Sequence, residues 1–224
     1  MPDLIESWPK LGYLLQQGRH RLEMVTPVPI GSSSPQLSNA AALGIQELPP
    51  PGKEWGPGGE VLFFQEHFKA SLVSFGVSPL FARALTAALK ELASNAIEHS
   101  RSPAAPLACY EISKSTWTMA VTDVGQGVLA SLRENSSYIA LDSHAEALKL
   151  ALQPGISRTG EKGRGNGFAR VFKALVDRRA GLRFRSGGAS ARWEGTSPTH
   201  HSIVFQGLSF ARPGFHVRIA GPIA

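Results

Sequence analysis

The clearest hydrophobic pattern begins at Glu60 and predicts two consecutive helices. Apolar side chains recur at roughly helical spacing as far as Phe75, and Gly76 ends that segment. Ser78-Pro79 then supplies an N-cap followed by a proline at the first helical position. A second apolar stripe follows this start signal, so the pattern predicts a longer helix that ends at about His99.

The remaining pattern predicts a sheet with two further helices. Predicted strands lie at Leu107–Ser113, Thr116–Thr122, Gly181–Arg185, Ala189–Glu194, Ser202–Phe205 and Phe215–Ala220. Helices are expected over about 143–152 and 166–179, and Gly187-Gly188 predicts a hairpin turn. Because strands and helices are grouped, the order predicts an α+β fold. We expect a two-layer α/β sandwich with a mixed, mostly antiparallel sheet and helices on one face.

The chain divides by composition near residue 60. Residues 1–59 are poorly patterned and contain proline-rich and glycine-rich stretches, including Pro49-Pro50-Pro51-Gly52. They predict an N-terminal extension or small subdomain that ends in a linker. Residues 60–224 carry the periodic elements and are predicted to form the main domain.

Cysteine content and hydropathy bear on the compartment. The single cysteine, Cys109, excludes an internal disulfide framework and favours a reducing compartment. No apolar stretch reaches the length of about 18 residues that a membrane span needs, and the N-terminus lacks a signal-peptide pattern. We therefore expect a cytoplasmic protein without membrane contact.

Positive charge is concentrated in one segment. The whole chain has a formal charge of +6, whereas Arg158–Arg192 holds ten Lys and Arg against two acidic residues, which gives 10 − 2 = +8. Such a segment attracts nucleic acid, an acidic partner or a polyphosphate. An ordinary solvated helix face and sheet edge is an equally good interpretation.

The second predicted helix carries polar side chains with chemical potential. Glu91, Asn95 and His99 are spaced i, i+4 and i+8, so they lie along one side of the helix beside the apolar stripe. The amide oxygen of Asn95 suits Mg²⁺, which takes few protein ligands and several phosphate and water oxygens. Glu91 could activate a water or hydroxyl as a general base. The alternative is an amphipathic helix with a solvated polar face.

Two glycine-containing stretches follow. Asp123 comes at the end of a predicted strand, where its carboxylate could accept a hydrogen bond from an exocyclic amine. Gly125 and Gly127 would let the backbone turn sharply beside a flat ligand. The second stretch precedes or opens a helix and offers N–H groups and positive charge to phosphates; its residues are Lys162, Gly163, Arg164, Gly165, Asn166 and Gly167. A common turn and a flexible surface loop are the respective alternatives.

These stretches together resemble the GHKL superfamily, which includes gyrase-type topoisomerases, ninety-kilodalton heat-shock chaperones, mismatch-repair ATPases, histidine kinases and anti-sigma factor kinases. The family has an N box, a DxGxG box, an ATP lid and a second glycine box. The matching sequences here are ELASNAIEHS, DVGQG and GRGNGFARV, in that order. The resemblance covers about residues 60–220 and implies the Bergerat fold. The pattern is closest to that of anti-sigma factor serine kinases.

The resemblance implies a role for each matching residue. Asn95 would ligate Mg²⁺ between the phosphates, Asp123 would bind the adenine amino group, and Glu91 would be the catalytic glutamate. His99 would line the nucleotide site, and Gly125 and Gly127 would shape the adenine pocket. The phosphates would meet the 162–167 stretch, with 153–162 as the lid. The chain departs from the family pattern at Phe215, which stands where the last strand usually has Thr after Gly.

Three functions follow from this resemblance. The first is a cytoplasmic Mg-ATP-binding regulator that phosphorylates or sequesters a protein partner, in the manner of a serine/threonine kinase. The second is an ATP hydrolase of the gyrase or chaperone type, in which the basic segment could touch nucleic acid. The third is an interaction module that binds nucleotide without turnover. ATP and Mg²⁺ are the expected cofactors, an unidentified protein is the expected partner, and a homodimer is an open alternative.

Overall fold

The computed structural model describes residues 42–49, 60–153, 171, 175, 180–194 and 203–223. In chain order the elements are β1 (Ala42–Glu47), α1 (Glu60–Ser74), α2 (Pro79–His99), β2 (Leu107–Ile112), β3 (Thr116–Thr122), α3 (Gly127–Arg133), a 3₁₀ turn (Ser136–Tyr138), α4 (His144–Ala151), β4 (Gly181–Glu194) and β5 (Val204–Pro222). Val171 and Leu175 are also helical, and both are fully buried.

The described strands form one five-stranded sheet in the order β1-β2-β3-β5-β4. All four pairings between neighbouring strands are antiparallel. The last described strand, β5, lies between β3 and the edge strand β4, so the C-terminal part of the described chain is an interior strand of the sheet. The expected α+β class and the mostly antiparallel sheet are therefore confirmed.

The helices begin where the sequence signals predicted. The hydroxyl of Ser78 accepts a hydrogen bond from the Phe81 amide at 3.4 Å and caps α2, which starts at Pro79. Ser143 caps α4 in the same way, with the Glu146 amide at 3.3 Å. The three predicted helices that fall wholly within the described residues, α1, α2 and α4, are thus confirmed.

The main core lies between these helices and one face of the sheet. Alternate strand residues point into it, including Tyr110, Trp117 and Val217, which are all almost completely buried. Phe81 of α2 packs edge-on against Trp117 with ring centroids 5.9 Å apart. This packing fixes α2 against β3 and so places the end of the helix near the end of that strand.

Four features differ from the sequence predictions. The strand β1 pairs with β2, although its residues were assigned to the unpatterned extension. The helix α3, which begins at Gly127, was not predicted. Gly187-Gly188 is not a hairpin turn: β4 runs through it with a change of register at Gly187. The described strand β5 runs unbroken over Val204–Pro222, and so joins the end of the predicted strand Ser202–Phe205 to the predicted strand Phe215–Ala220.

Candidate functional site

The polar side chains of α2 lie at the margin of the core. Glu91, Asn95 and His99 are each partly buried, whereas Leu92 and Ala96 beside them are fully buried. The helical rise places the first and last of the three about 12 Å apart along the axis. The structure thus aligns a carboxylate, an amide and an imidazole along one side of α2, as the spacing predicted.

Asp123 is a buried carboxylate at the end of β3. Only 4% of the residue is exposed. One carboxylate oxygen accepts a hydrogen bond from the Gly125 amide at 2.7 Å, and the Asp123 amide donates to the Phe215 carbonyl at 2.9 Å. Burial raises the pKa of Asp123 to about 6, although hydrogen bonds with the backbone of Gly125 and Phe215 oppose the rise. This group therefore changes charge near pH 6.

The end of α2 is bonded directly to the turn that follows Asp123. The Gln126 amide donates to the Ser100 carbonyl at 2.8 Å, and the Gln126 side chain donates to the His99 carbonyl at 3.1 Å. The Ser131 hydroxyl lies 3.3 Å from Nδ1 of His99. His99 and Asp123, which are 24 positions apart in sequence, therefore belong to one junction.

Gly125 is required by this junction. A Cβ atom at Gly125 would lie 1.9 Å from the carbonyl oxygen of Ser100, a distance that no packed structure accommodates. The sequence predicted that this glycine would allow close approach to a flat ligand. In the structure the close approach is to the end of α2, so the glycine holds the helix and the turn together.

The last strand closes the junction from the other side. Gly214 has a φ of +89°, and a Cβ atom there would lie 2.0 Å from the carbonyl oxygen of Asp123. Phe215, the departure from the family pattern, turns its ring into the core against Phe184, with ring centroids 5.1 Å apart. It is therefore the backbone of Phe215, through its carbonyl, that contacts Asp123.

The predicted phosphate-binding stretch and the lid are the remaining parts of the predicted site. Lys162, Gly163, Arg164, Gly165, Asn166 and Gly167 lie outside the described residues, as do all of the expected lid residues after Gln153. The described chain reaches Gln153, the first residue of the expected lid, just after α4 ends at Ala151.

Ser186 and Gln126 belong to the junction but were not singled out from the sequence. Ser186 bonds to the backbone at both Val128 and Gly214. Gln126 occupies the variable position between the two glycines of DVGQG, where the motif gives no reason to expect a structural role. Ser186 lies 58 positions from Val128, so only the folded structure reveals the contact.

The donor set fits a magnesium ion held mainly by phosphate and water oxygens. Within the described ranges no group of three or more His, Cys, Asp or Glu side chains could hold a metal ion. Mg²⁺ needs no such group, because it commonly uses one or two protein oxygens beside those of a nucleotide. Asn95 and Glu91 offer an amide and a carboxylate oxygen one helical turn apart, both from partly buried side chains.

Comparison with known proteins does not identify a family. No model of a protein family matches the chain, and no curated protein sequence matches it either. Among the described helices, none has both the length and the apolar character that a membrane span requires. Any functional argument therefore starts from the motifs and from the junction around Asp123.

Proposed function

We propose that this chain is a cytoplasmic, Mg-ATP-binding regulatory protein that phosphorylates or sequesters a protein partner. The observation that carries the proposal is the buried carboxylate of Asp123, which bonds to Gly125 and packs against Gly214 in a turn that is itself bonded to the end of α2. A buried carboxylate whose pKa is raised by burial to about 6 is a common mark of a functional site. It also costs stability, which a purely structural position would not require.

The nucleobase would be recognised by Asp123. One of its oxygens is held by the Gly125 amide at 2.7 Å, which orients the carboxylate. The ionised group accepts hydrogen bonds and does not donate them, so it would select an exocyclic amine such as that of adenine. Because Gly125 and Gln126 are anchored to α2, the recognition group and the polar side of that helix have a fixed relation.

The phosphates and the metal would then lie along α2. Asn95 would supply an oxygen to Mg²⁺, which neutralises phosphate charge when bound. Glu91, one turn earlier, would remove a proton from the attacking hydroxyl of a protein substrate or from water. If Glu91 acts in this way, the protein is a kinase or hydrolase; otherwise it acts by nucleotide-dependent binding of its partner.

Calorimetric titration with Mg-ATP tests the proposal. The wild-type chain should bind with a saturable heat, and Asp123→Asn should weaken binding by about tenfold or more, since it alters the acceptor that reads the base. Asp142→Asn is the matched control, because Asp142 is exposed on the surface before α4. Absence of saturable binding by the wild-type chain would contradict the proposal. Capture of proteins from a lysate with and without ATP, followed by mapping of phosphorylated sites, then separates kinase from sequestering activity.

A further inference from the structure

Three glycines in the left-handed region surround one buried serine. Gly127, Gly187 and Gly214 have φ values of +76°, +57° and +89°, and they lie at the start of α3, in β4 and in β5 respectively. Ser186, which is 2% exposed, lies between them. A Cβ atom at Gly127 would come within 2.7 Å of the Ser186 hydroxyl oxygen and 3.1 Å of the Gly214 carbonyl oxygen. The three segments therefore meet more closely than side chains would allow.

The Ser186 hydroxyl joins two of these segments through hydrogen bonds. It accepts from the Val128 amide at 2.9 Å and donates to the Gly214 carbonyl at 2.8 Å. Val128 directly follows Gly127, the last glycine of the turn after Asp123, and Gly214 packs against the Asp123 carbonyl. One hydroxyl thus links the turn that follows Asp123 to the segment of β5 that packs against the Asp123 carbonyl.

The position of Ser186 is itself fixed by an irregularity in β4. The register with β5 shifts on either side of Gly187, and such bulges often occur beside functional sites, where they aim a side chain. A Cβ atom at Gly187 would lie 2.3 Å from the ring of His144, the first residue of α4. Contact with His144 holds the bulge from the other side, so the Ser186 hydroxyl has little freedom to move.

We propose that Ser186 is a positioning residue for nucleotide binding: through its bonds to Val128 and Gly214 it holds the turn after Asp123 in the shape that receives the base. This proposal rests on the proposed function. Because the Ser186 hydroxyl already bonds to the backbone of Val128 and of Gly214, it acts through these two segments and not by touching the ligand. Its effect should therefore be the same for adenosine and for Mg-ATP, since both share the base.

The test compares Ser186→Ala with Ser71→Ala. Ser71 is also buried, and it hydrogen-bonds to Tyr110 on the far side of the core. Ser186→Ala should raise the Kd for adenosine and for Mg-ATP by a similar factor of about ten, measured well below the melting temperature, because two buried backbone bonds are lost beside the site. Ser71→Ala should lower the melting temperature and leave both Kd values unchanged. Unchanged Kd values for Ser186→Ala, or equal losses in both variants, would overturn the proposal.

Amide hydrogen exchange in the absence of nucleotide provides an independent measurement. In the wild-type chain the Val128 amide should be well protected, and in Ser186→Ala the amides of Val128 and Gln126 should exchange at least about ten times faster. Ser71→Ala should not affect them. If the wild-type chain binds no nucleotide while exchange behaves as expected, the proposed function and the role in nucleotide binding both fail, and only the conclusion that Ser186 holds the turn after Asp123 stands. A poorly protected Val128 amide in the wild-type chain would overturn the positioning role whether or not the variant folds.

Discussion

Replacing Asp123 with asparagine should remove a destabilising contribution that grows between acid and neutral pH. Burial raises the pKa of this carboxyl from about 3.8 to about 6. Each pKa unit corresponds to about 1.4 kcal/mol, so keeping Asp123 ionised in the folded chain costs on the order of 3 kcal/mol. Asparagine has nearly the same shape, can still accept the bond from Gly125, and carries no charge to bury.

The sign of the pH dependence follows from proton linkage. Between pH 3.8 and pH 6 the Asp123 carboxyl is protonated in a larger fraction of folded molecules than of unfolded molecules. The contribution of this group to the free energy of unfolding therefore falls as pH rises through this range, and it stays low above pH 6. The free energy of unfolding of Asp123→Asn should exceed that of the wild-type chain by an amount that grows over the same interval.

Urea unfolding of both chains at several pH values from 4 to 8 measures this difference. We expect the difference between the variants to grow by about 2–3 kcal/mol from the acid end to the neutral end. A constant cost of the new amide group cancels, because only the change with pH is used. The histidines cancel too, since both chains contain them. Asp142→Asn, at an exposed carboxylate, should follow the wild-type curve. A difference that stays constant with pH, or that favours the wild-type chain as pH rises, would refute the reasoning.

Three further substitutions test other parts of the site. Glu91→Gln should abolish phosphoryl transfer or hydrolysis, while the Kd for Mg-ATP changes by less than about threefold. Glu98→Gln, at an exposed position of the same helix, should retain activity, and equal activity of the two variants would show that Glu91 has no part in the chemistry. Asn95→Ala should weaken binding of Mg-ATP by about tenfold or more in calorimetry and leave adenosine binding unchanged, and an equal loss for both ligands would contradict a metal-binding role. Gly125→Ala should lower the free energy of unfolding by more than about 2 kcal/mol, because the new Cβ atom would overlap the Ser100 carbonyl at the end of α2. Gly207→Ala should be nearly neutral, since a Cβ atom there has no atom within 4 Å, and an equally stable Gly125→Ala would show that the helix and the turn are not held in close contact.

The elements that the sequence predicted well are those specified by local signals. Ser78-Pro79 and Ser143 mark the starts of α2 and α4, because a capping side chain and the first turn of the helix are adjacent in the chain. The alignment of Glu91, Asn95 and His99 follows from helical periodicity alone. These features could be predicted because each depends on residues within a few positions of one another.

The elements that were missed depend on distant partners. Gly187-Gly188 has the composition of a hairpin turn, and only the pairing of β4 with β5 makes it a bulge instead. The strand β1 is six residues long, and it is stabilised by pairing with β2, whose partner residues lie 60 to 70 positions later. The roles of Gly125 and Ser186 likewise arise from contacts across the fold, with the Ser100 carbonyl and with the Val128 amide. No local pattern encodes such contacts.

Adenosine binding as a function of pH tests the central claim most directly. Adenosine carries the base without phosphates, so the measurement isolates recognition by the buried carboxylate. If ionised Asp123 reads the adenine amine, the wild-type Kd should be constant above about pH 6 and should rise by up to tenfold for each pH unit below it. The Kd of Asp123→Asn should be high and independent of pH. Saturable binding that is equally tight in both chains, or no binding at any pH, would contradict the account.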